Sequence, residues 1–272
     1  MKKKLLILLL MIMPMSMMAQ TYHSIEKDGL LYLYQDGADP NDDSKLFIIV
    51  NGSLTADGVQ YTNTYFVPAD GVRAAWRNAT TGIKKVDGTA LGTDRWYKSD
   101  MDAIQTFNWG NNGPTSFKGI EYFRNITSLT VKQNGTSGNQ LDLDLSKNTK
   151  LKVLNFNTPT TARISKLNIS NTQLTSLTLP AGSKNYLTEL YINNVSTLST
   201  ALNLSTFTSL RILEIENSPV TGLTLPSSSD VRSIILDNTN ISSLDLANTS
   251  NLRTFEVKKS SIEHFNIAKY KN

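Results

Sequence analysis

Cysteine is absent from the 272 residues, and histidine occurs only as His23 and His264. The first absence excludes disulfides, cysteine nucleophiles and thiolate metal sites, and the second excludes metal centres built from several imidazoles. A Ser-His-Asp arrangement would have to recruit a histidine near one end of the chain. His264 stands before Phe265 at a repeat position, which reads as surface. No glycine-rich loop follows a strand and opens a helix, so no phosphate cradle is expected. Carboxylates alone are left for catalysis.

Long apolar runs are missing after the first residues. Lys2, Lys3 and Lys4 precede an apolar stretch from Leu5 to Met13, broken by Pro14, and Ser16 to Ala19 supplies small residues before Gln20. That stretch is too short to span a bilayer comfortably and reads as a secretory signal over 1–19, leaving no transmembrane segment in the mature chain. No cysteine follows it to accept lipid, and the closing segment Ile267 to Asn272 is not an apolar tail. The expected product is exported, to the periplasm, the medium or the cell surface, and is not a lipoprotein. Without disulfides it must be held by packing alone.

A strong charge of one sign is also lacking. The chain has 27 basic and 23 acidic residues, and without Lys2, Lys3 and Lys4 the balance is 24 against 23. The sequence pI of about 9.1 therefore gives no reason to expect nucleic acid or an anionic membrane as partner.

What is present is a repeat. Segments beginning at Ile164, Leu187, Leu210, Val231 and Leu252 follow L-x-x-L-x-L-x-x-[S/T]-x-L-x-x-L-x-L, with spacings of 23, 23, 21 and 21 residues and a longer insertion in the unit from Leu187. Weaker copies start at Ile126 and Leu151, the latter only 13 residues before Ile164, which reads as a slip of phase or a misplaced boundary. In L-x-L both apolar side chains face one way. One coil cannot bury that face, so stability requires stacking. The pattern predicts a β-rich repeat solenoid of stacked parallel strands over 115–272. A small, mainly-β N-terminal module over 20–114 precedes it.

A second column accompanies the first. Asn171, Asn194, Asn217 and Asn238 fall two residues after the last strand apolar of successive units, and Lys259 takes that place in the final one. An amide donates and accepts, so a stacked asparagine ladder is expected to satisfy backbone groups inside the turning coils. Asn-x-Ser triplets such as Asn194-Val195-Ser196 arise by chance in such a composition and are a weak glycosylation signal.

These units resemble the 21-residue leucine-rich repeats of secreted Bacteroidetes-type bacterial proteins, roughly LTxLDLSNNxLTSLDLSxNT. The matching stretches are LNISNTQLTSLTLP, LDLSKNTKLKVLNF and ILDNTNISSLDLANTSNL. Phe117 to Leu129 is similar to the first repeat of internalin-like proteins, GIEYL-xNLTSL. The resemblance covers about 115–272. It departs in lacking the second consecutive asparagine in most units and in the irregular stretch Asn155–Arg163. It implies a non-catalytic protein that binds a protein or glycan through its repeat sheet, for example in adhesion.

Within the N-terminal module, Leu30 to Tyr34, Leu46 to Val50 and Tyr61 to Val67 read as strands, and Asp100 to Phe107 as a short helix leading into the solenoid. Asp36, Asp39, Asp42 and Asp43 form an acidic loop. Their spacing lacks the alternating ligands, central glycine and closing glutamate of an EF-hand, so a solvated loop is expected and no metal or other cofactor.

If the repeat strands form one sheet, their non-leucine positions line its outer surface. Tyr191, Ile212 and Ile235 are expected to form an apolar stripe in register, edged by Glu189, Glu214, Glu216, Asp237 and Glu256. Anchors ringed by polar groups suit an interface. The same acids offer the one route to catalysis, a carboxylate pair of glycosidase type. Ahead of catalysis, the second reading is a structural or accessory part of an envelope assembly, contacting its partner through the N-terminal module. The final coil has no obvious cap after Ile267, so its edge is expected to be open to pairing, discouraged by Lys269 and Lys271.

Overall fold

The computed structural model describes residues 20–50, 52–62, 91, 94–108, 117–131, 140–157, 162–227 and 230–267. The signal segment 1–19, the far end of the strand expected to reach Val67, and Lys269 and Lys271 lie outside these residues.

The chain opens with a hairpin of β1 (Tyr22–Lys27) and β2 (Leu30–Gln35). Its turn is Asp28-Gly29, with φ of 57° and 71°. Positive φ at both central residues is the requirement of the turn whose twist matches a hairpin, and Asp-Gly satisfies it. The device recurs at Asp57-Gly58 (φ 50° and 77°) between β4 (Ser53–Ala56) and β5 (Val59–Thr62). Strands β3 (Phe47–Ile49) and β6 (Arg95–Tyr97) complete an antiparallel sheet of order β1-β2-β3-β6.

The expected helix over Asp100 to Phe107 is displaced. Helix α1 spans only Lys98–Asp102, and Thr106–Asn108 is strand β7, the first parallel partner of the solenoid. Pairing with the next coil prevails over the local helical preference of this segment.

From there the chain coils with two strand-forming sides per turn. One side is a six-stranded parallel sheet of β9 (Leu141–Asp144), β11 (Ile164–Asn168), β12 (Glu189–Asn193), β14 (Ile212–Glu216), β16 (Ser233–Asp237) and β18 (Thr254–Lys258). The other carries β7 with β8 (Ser128–Val131) and β10 (Val153–Phe156), then β13 (Ala201–Asn203) with β15 (Gly222–Thr224), and β17 (Ser243–Leu246) with β19 (His264–Ile267). The fold is thus a leucine-rich-repeat β-solenoid preceded by a small antiparallel β region.

This arrangement removes the apparent slip of phase. The copies at Ile126 and Leu151 lead into β8 and β10, which belong to the second side, while β9 supplies the six-stranded sheet. Both half-coils carry L-x-x-L-x-L because both must point two leucines inward. A separation of 13 residues between Leu151 and Ile164 is therefore about half a turn of the solenoid.

The hydrophobic core is one continuous cluster from Tyr22 to Leu246. The N-terminal region covers the open end of the first coil. The Phe123 ring meets Phe107 edge-on at 5.3 Å (87°) and Trp96 at 6.2 Å (72°), and Tyr32 meets Tyr122 at 5.5 Å (88°). The Tyr122 hydroxyl donates to Leu31 O (3.1 Å), and Asn125 Nδ2 donates to Asp102 O (2.7 Å). The interior amide of Asn148 donates to Ile120 O and Phe123 O, at 2.9 Å each.

The opposite end differs. Phe255 occupies an inward position of β18, yet it is 38% exposed, and among the described residues no strand pairs with the outer edge of β18.

The asparagine column stacks on the outside of the corner that leaves the six-stranded sheet. Asn194 Nδ2 donates to Asn171 Oδ1 (3.0 Å), Asn217 to Asn194 (3.1 Å) and Asn238 to Asn217 (3.1 Å). All four are exposed. Each has a φ between 48° and 62°, and Lys259 sits at 45°. Asparagine tolerates this left-handed conformation better than other side chains.

The expectation that these amides serve backbone groups inside the coil is corrected, because a residue turned outward cannot reach them. Buried hydroxyls do so instead. Ser218 Oγ accepts from Val195 N (2.9 Å) and donates to Ile192 O (2.9 Å), and Thr172 Oγ1 donates to Ile169 O (2.7 Å).

The two roles of Asn217 can be separated by substitution. Asn217→Gly keeps the left-handed backbone and loses two exposed amide bonds, a cost of about 1 kcal/mol. Asn217→Val adds the strain of a β-branched residue at positive φ, for a total of about 2–3 kcal/mol. Urea midpoints of the two variants check this order, and equal midpoints would show that backbone conformation is not what the column selects.

Candidate functional site

The six-stranded sheet brings the outward side chains into three rows, set by strand register. The first runs Asp142, Lys166, Glu189, Ile212, Ser233, Thr254. The second runs Asp144, Asn168, Tyr191, Glu214, Ile235, Glu256. The third holds Asn193, Glu216, Asp237 and Lys258.

Tyr191 and Ile235 therefore share a row with Glu214 between them, and Ile212 falls in the preceding row, so the three are not one in-register stripe. Tyr191 and Ile235 flank Glu214 on either side, and Ile212 lies two residues before it on the same strand. Side chains two apart on a strand share a face, so the three apolar groups form a triangle around a carboxylate. All of them are half-buried, as are Glu189, Glu214, Glu216, Asp237 and Glu256.

Hydrogen bonds order this surface. Tyr191 donates its hydroxyl to Glu189 Oε2 (3.0 Å), and Glu189 also pairs with Lys166 Nζ (3.0 Å). Burial first, and then the hydrogen bond to Glu189, push the Tyr191 phenol up to about 12. Asn193 Nδ2 donates to Glu214, and Asn193 Oδ1 accepts from Glu216 N at 3.2 Å. Lys258 pairs with Glu256 at the end of the array. Asp237 Oδ1 is enclosed and finds no hydrogen-bond partner among the described residues.

Glu216 has the perturbed carboxyl. Loss of solvent raises it above the ordinary glutamate value, and the neighbouring Glu214, Asp237 and Glu256 add to the rise. A carboxyl whose folded value exceeds its unfolded one binds its proton more tightly in the folded state. It opposes folding at neutral pH, and the opposition is relieved as pH falls through the raised value. Glu216→Gln is expected to stabilise the fold at pH 7 by a few tenths of a kcal/mol, a modest figure because the group is part-exposed. The gain should vanish in thermal melts below pH 4, where the carboxyl is protonated in both states. A variant less stable than wild type at pH 7 would refute the repulsion.

The residues considered for other chemistry lie elsewhere. His23 is in β1 and His264 in β19, the first and last strands. His23 is held between two carboxylates, Nδ1 against Asp57 (2.8 Å) and Nε2 against Asp36 (3.3 Å), and its pKa is raised, chiefly by the hydrogen bond to Asp57. Ser24 Oγ donates to Asp57 (2.8 Å), so serine and histidine meet the same carboxylate and make no nucleophile-to-base contact.

The acidic loop is also internally engaged. Asp39 accepts from Asn41 N (2.8 Å), Asp42 from Ser44 N (2.9 Å), and Asp43 pairs with Lys27 and Lys98. Among the described residues no three acidic or histidine side chains are grouped as a metal would require. Nor is any helix there long and apolar enough to cross a membrane.

No protein-family model and no curated protein match this chain. A crystal structure of internalin C2 from Listeria monocytogenes is similar, with 24% identity over 72% of this chain and 86% of that one, at a TM-score of 0.29. A superposition that loose carries no statement about ligand or activity.

Proposed function

We propose that this is a non-catalytic interaction protein, exported or surface-associated, that binds a protein or glycan through the outer face of its six-stranded sheet. The observation that carries this reading is the triangle of Tyr191, Ile212 and Ile235 around Glu214, in a field of carboxylates that the fold holds at a cost. Repulsion at Glu216 and an enclosed, unpaired oxygen on Asp237 are unfavourable for the free protein. Such strain is retained where function uses it. A partner offering an apolar or sugar face with donor groups at its rim would satisfy all of these at once.

The test is binding of the chain lacking 1–19 to glycan arrays and extracellular matrix proteins, against a Tyr191/Ile212/Ile235 triple-alanine variant shown by circular dichroism to be folded. Loss of binding by at least about a hundredfold is expected if two or three anchors at the centre of the interface are removed. Undiminished binding by the variant would move the function off this sheet.

A further inference from the structure

The second side of the solenoid is interrupted at one coil. Strand β10 pairs with β8 along one edge, and among the described residues no strand pairs with its other edge. The segment that would occupy that place, Thr175 to Pro180, reads TSLTLP and lies in no strand. One stretch further on, Thr221 to Pro226, reads TGLTLP, and it contains β15, paired with β13. Strand competence is therefore not what Thr175 to Pro180 lacks.

The two walls are joined at one end, where Gln173 N donates to Leu151 O (2.8 Å), and separate beyond it. The stacking is disturbed on the following side as well. The unit from Leu187 uses 12 residues from the start of β12 to the start of β13, where the next three units use 10 between their paired strand starts. Between β10 and Thr175 to Pro180 lies a cleft of about 550 Å³. Its floor includes Leu154, Phe156 and Leu179, and Val153 at its rim is 44% exposed. Lys152 is the one charged side chain among the described residues that line it.

We propose that this cleft is a docking site for an extended, acidic segment of a partner polypeptide, which adds to β10 as a further parallel or antiparallel strand. A strand edge without a partner offers alternating donors and acceptors at the spacing of an extended chain, and that is the chemistry of strand addition. In the incoming segment alternate apolar side chains would cover Leu154 and Phe156, and the intervening ones face outward. Lys152, with no carboxylate beside it among the described lining residues, selects an acidic outward residue. The six-stranded sheet takes no part, so the two surfaces can be occupied independently.

The probe is a fluorescein-labelled peptide, Thr-Val-Asp-Val-Asp-Val-Thr, titrated against the chain lacking 1–19 by anisotropy, with amide chemical shifts read in parallel. Saturable binding is expected, with shifts confined to residues 152–157 and 173–180. Methylating alternate peptide nitrogens on the edge that pairs should abolish binding while leaving every side chain in place. Lys152→Glu should weaken binding about tenfold, and the same peptide with lysine for aspartate should recover it. Lys152 is solvent-facing, so melting of that variant should match wild type. Equal binding by both N-methylated isomers, shifts centred on residues 189–258, or no saturation at millimolar protein would each overturn the proposal.

Discussion

Phe123→Ala should separate the N-terminal region from the solenoid in denaturant. Phe123 is fully buried and is the ring against which Trp96 of β6 and Phe107 of β7 both pack. Truncating such a ring removes its burial and leaves a cavity, at about 3–5 kcal/mol. In a solenoid each unit is stabilised chiefly by its neighbours, so a loss at one joint is not shared evenly along the array. Tryptophan fluorescence reports mainly the N-terminal part and its joint, because Trp76 and Trp96 precede the coils and Trp109 directly follows β7 at their start, whereas far-ultraviolet circular dichroism reports mostly the coils. The wild type is expected to show coincident transitions by the two probes, and Phe123→Ala a fluorescence transition at clearly lower urea. If the variant unfolds at the wild-type midpoint by both probes, the aromatic joint is not what couples the two parts.

The solenoid was legible in the sequence because its signal is periodic and local. Its phase was not, for a physical reason. Both half-coils need two inward leucines, so Leu151-x-x-Leu154 and Leu210-x-x-Leu213 look alike although they lie on opposite sides of the coil. The hydroxyl column was written into the repeat as its [S/T] position, which falls on Thr172, Ser218, Thr239 and Ser260. Thr172 and Ser218 are short enough to remain buried in the corner and serve backbone groups there, while Thr239 bonds the half-buried Ser260 hydroxyl of the next coil. The asparagines one position earlier drew attention instead, and they turn outward.

The rows of the sheet were legible but misread. Counted from the unit starts Leu187, Leu210 and Val231, Tyr191, Glu214 and Ile235 share one offset and Ile212 another, and parallel pairing preserves offsets. The joint at the first coil was not legible at all. Trp96, Phe107 and Phe123 carry no pattern that relates them, since their contact depends on β6 and β7 lying on two sides of a short helix. Nor does composition distinguish Lys98 from the many surface lysines, although it is only 5% exposed.

That lysine should be among the most costly charged residues to replace. Its Nζ meets Asp43 Oδ2 at 2.9 Å and also bonds Asp102, while Lys27 Nζ meets Asp43 Oδ1 at 2.6 Å. The network ties β1, the acidic loop and α1 together under the N-terminal sheet. Lys98→Met keeps the apolar stem and removes the ammonium, which leaves Asp102 largely buried and without another ion-pair partner among the described residues. Breaking a buried pair from one side costs about 3–5 kcal/mol, and the lower end applies here because Asp43 is 38% exposed and keeps Lys27. The pH dependence follows from Asp43. Burial alone would raise its carboxyl, but hydrogen bonds from Lys27 and Lys98 outweigh that and hold it below the ordinary aspartate value of 3.8. A depressed carboxyl stabilises the fold above its unfolded value and ceases to do so as pH falls through its folded one. Acid unfolding of the N-terminal region, followed by tryptophan fluorescence, should therefore begin at higher pH in Lys98→Met than in wild type. Adding Asp102→Asn to that variant removes the stranded charge and should recover part of the lost stability, a coupling that a double-mutant cycle measures. A double variant no more stable than Lys98→Met alone would mean that the cost comes from packing around the lysine stem and not from its charge.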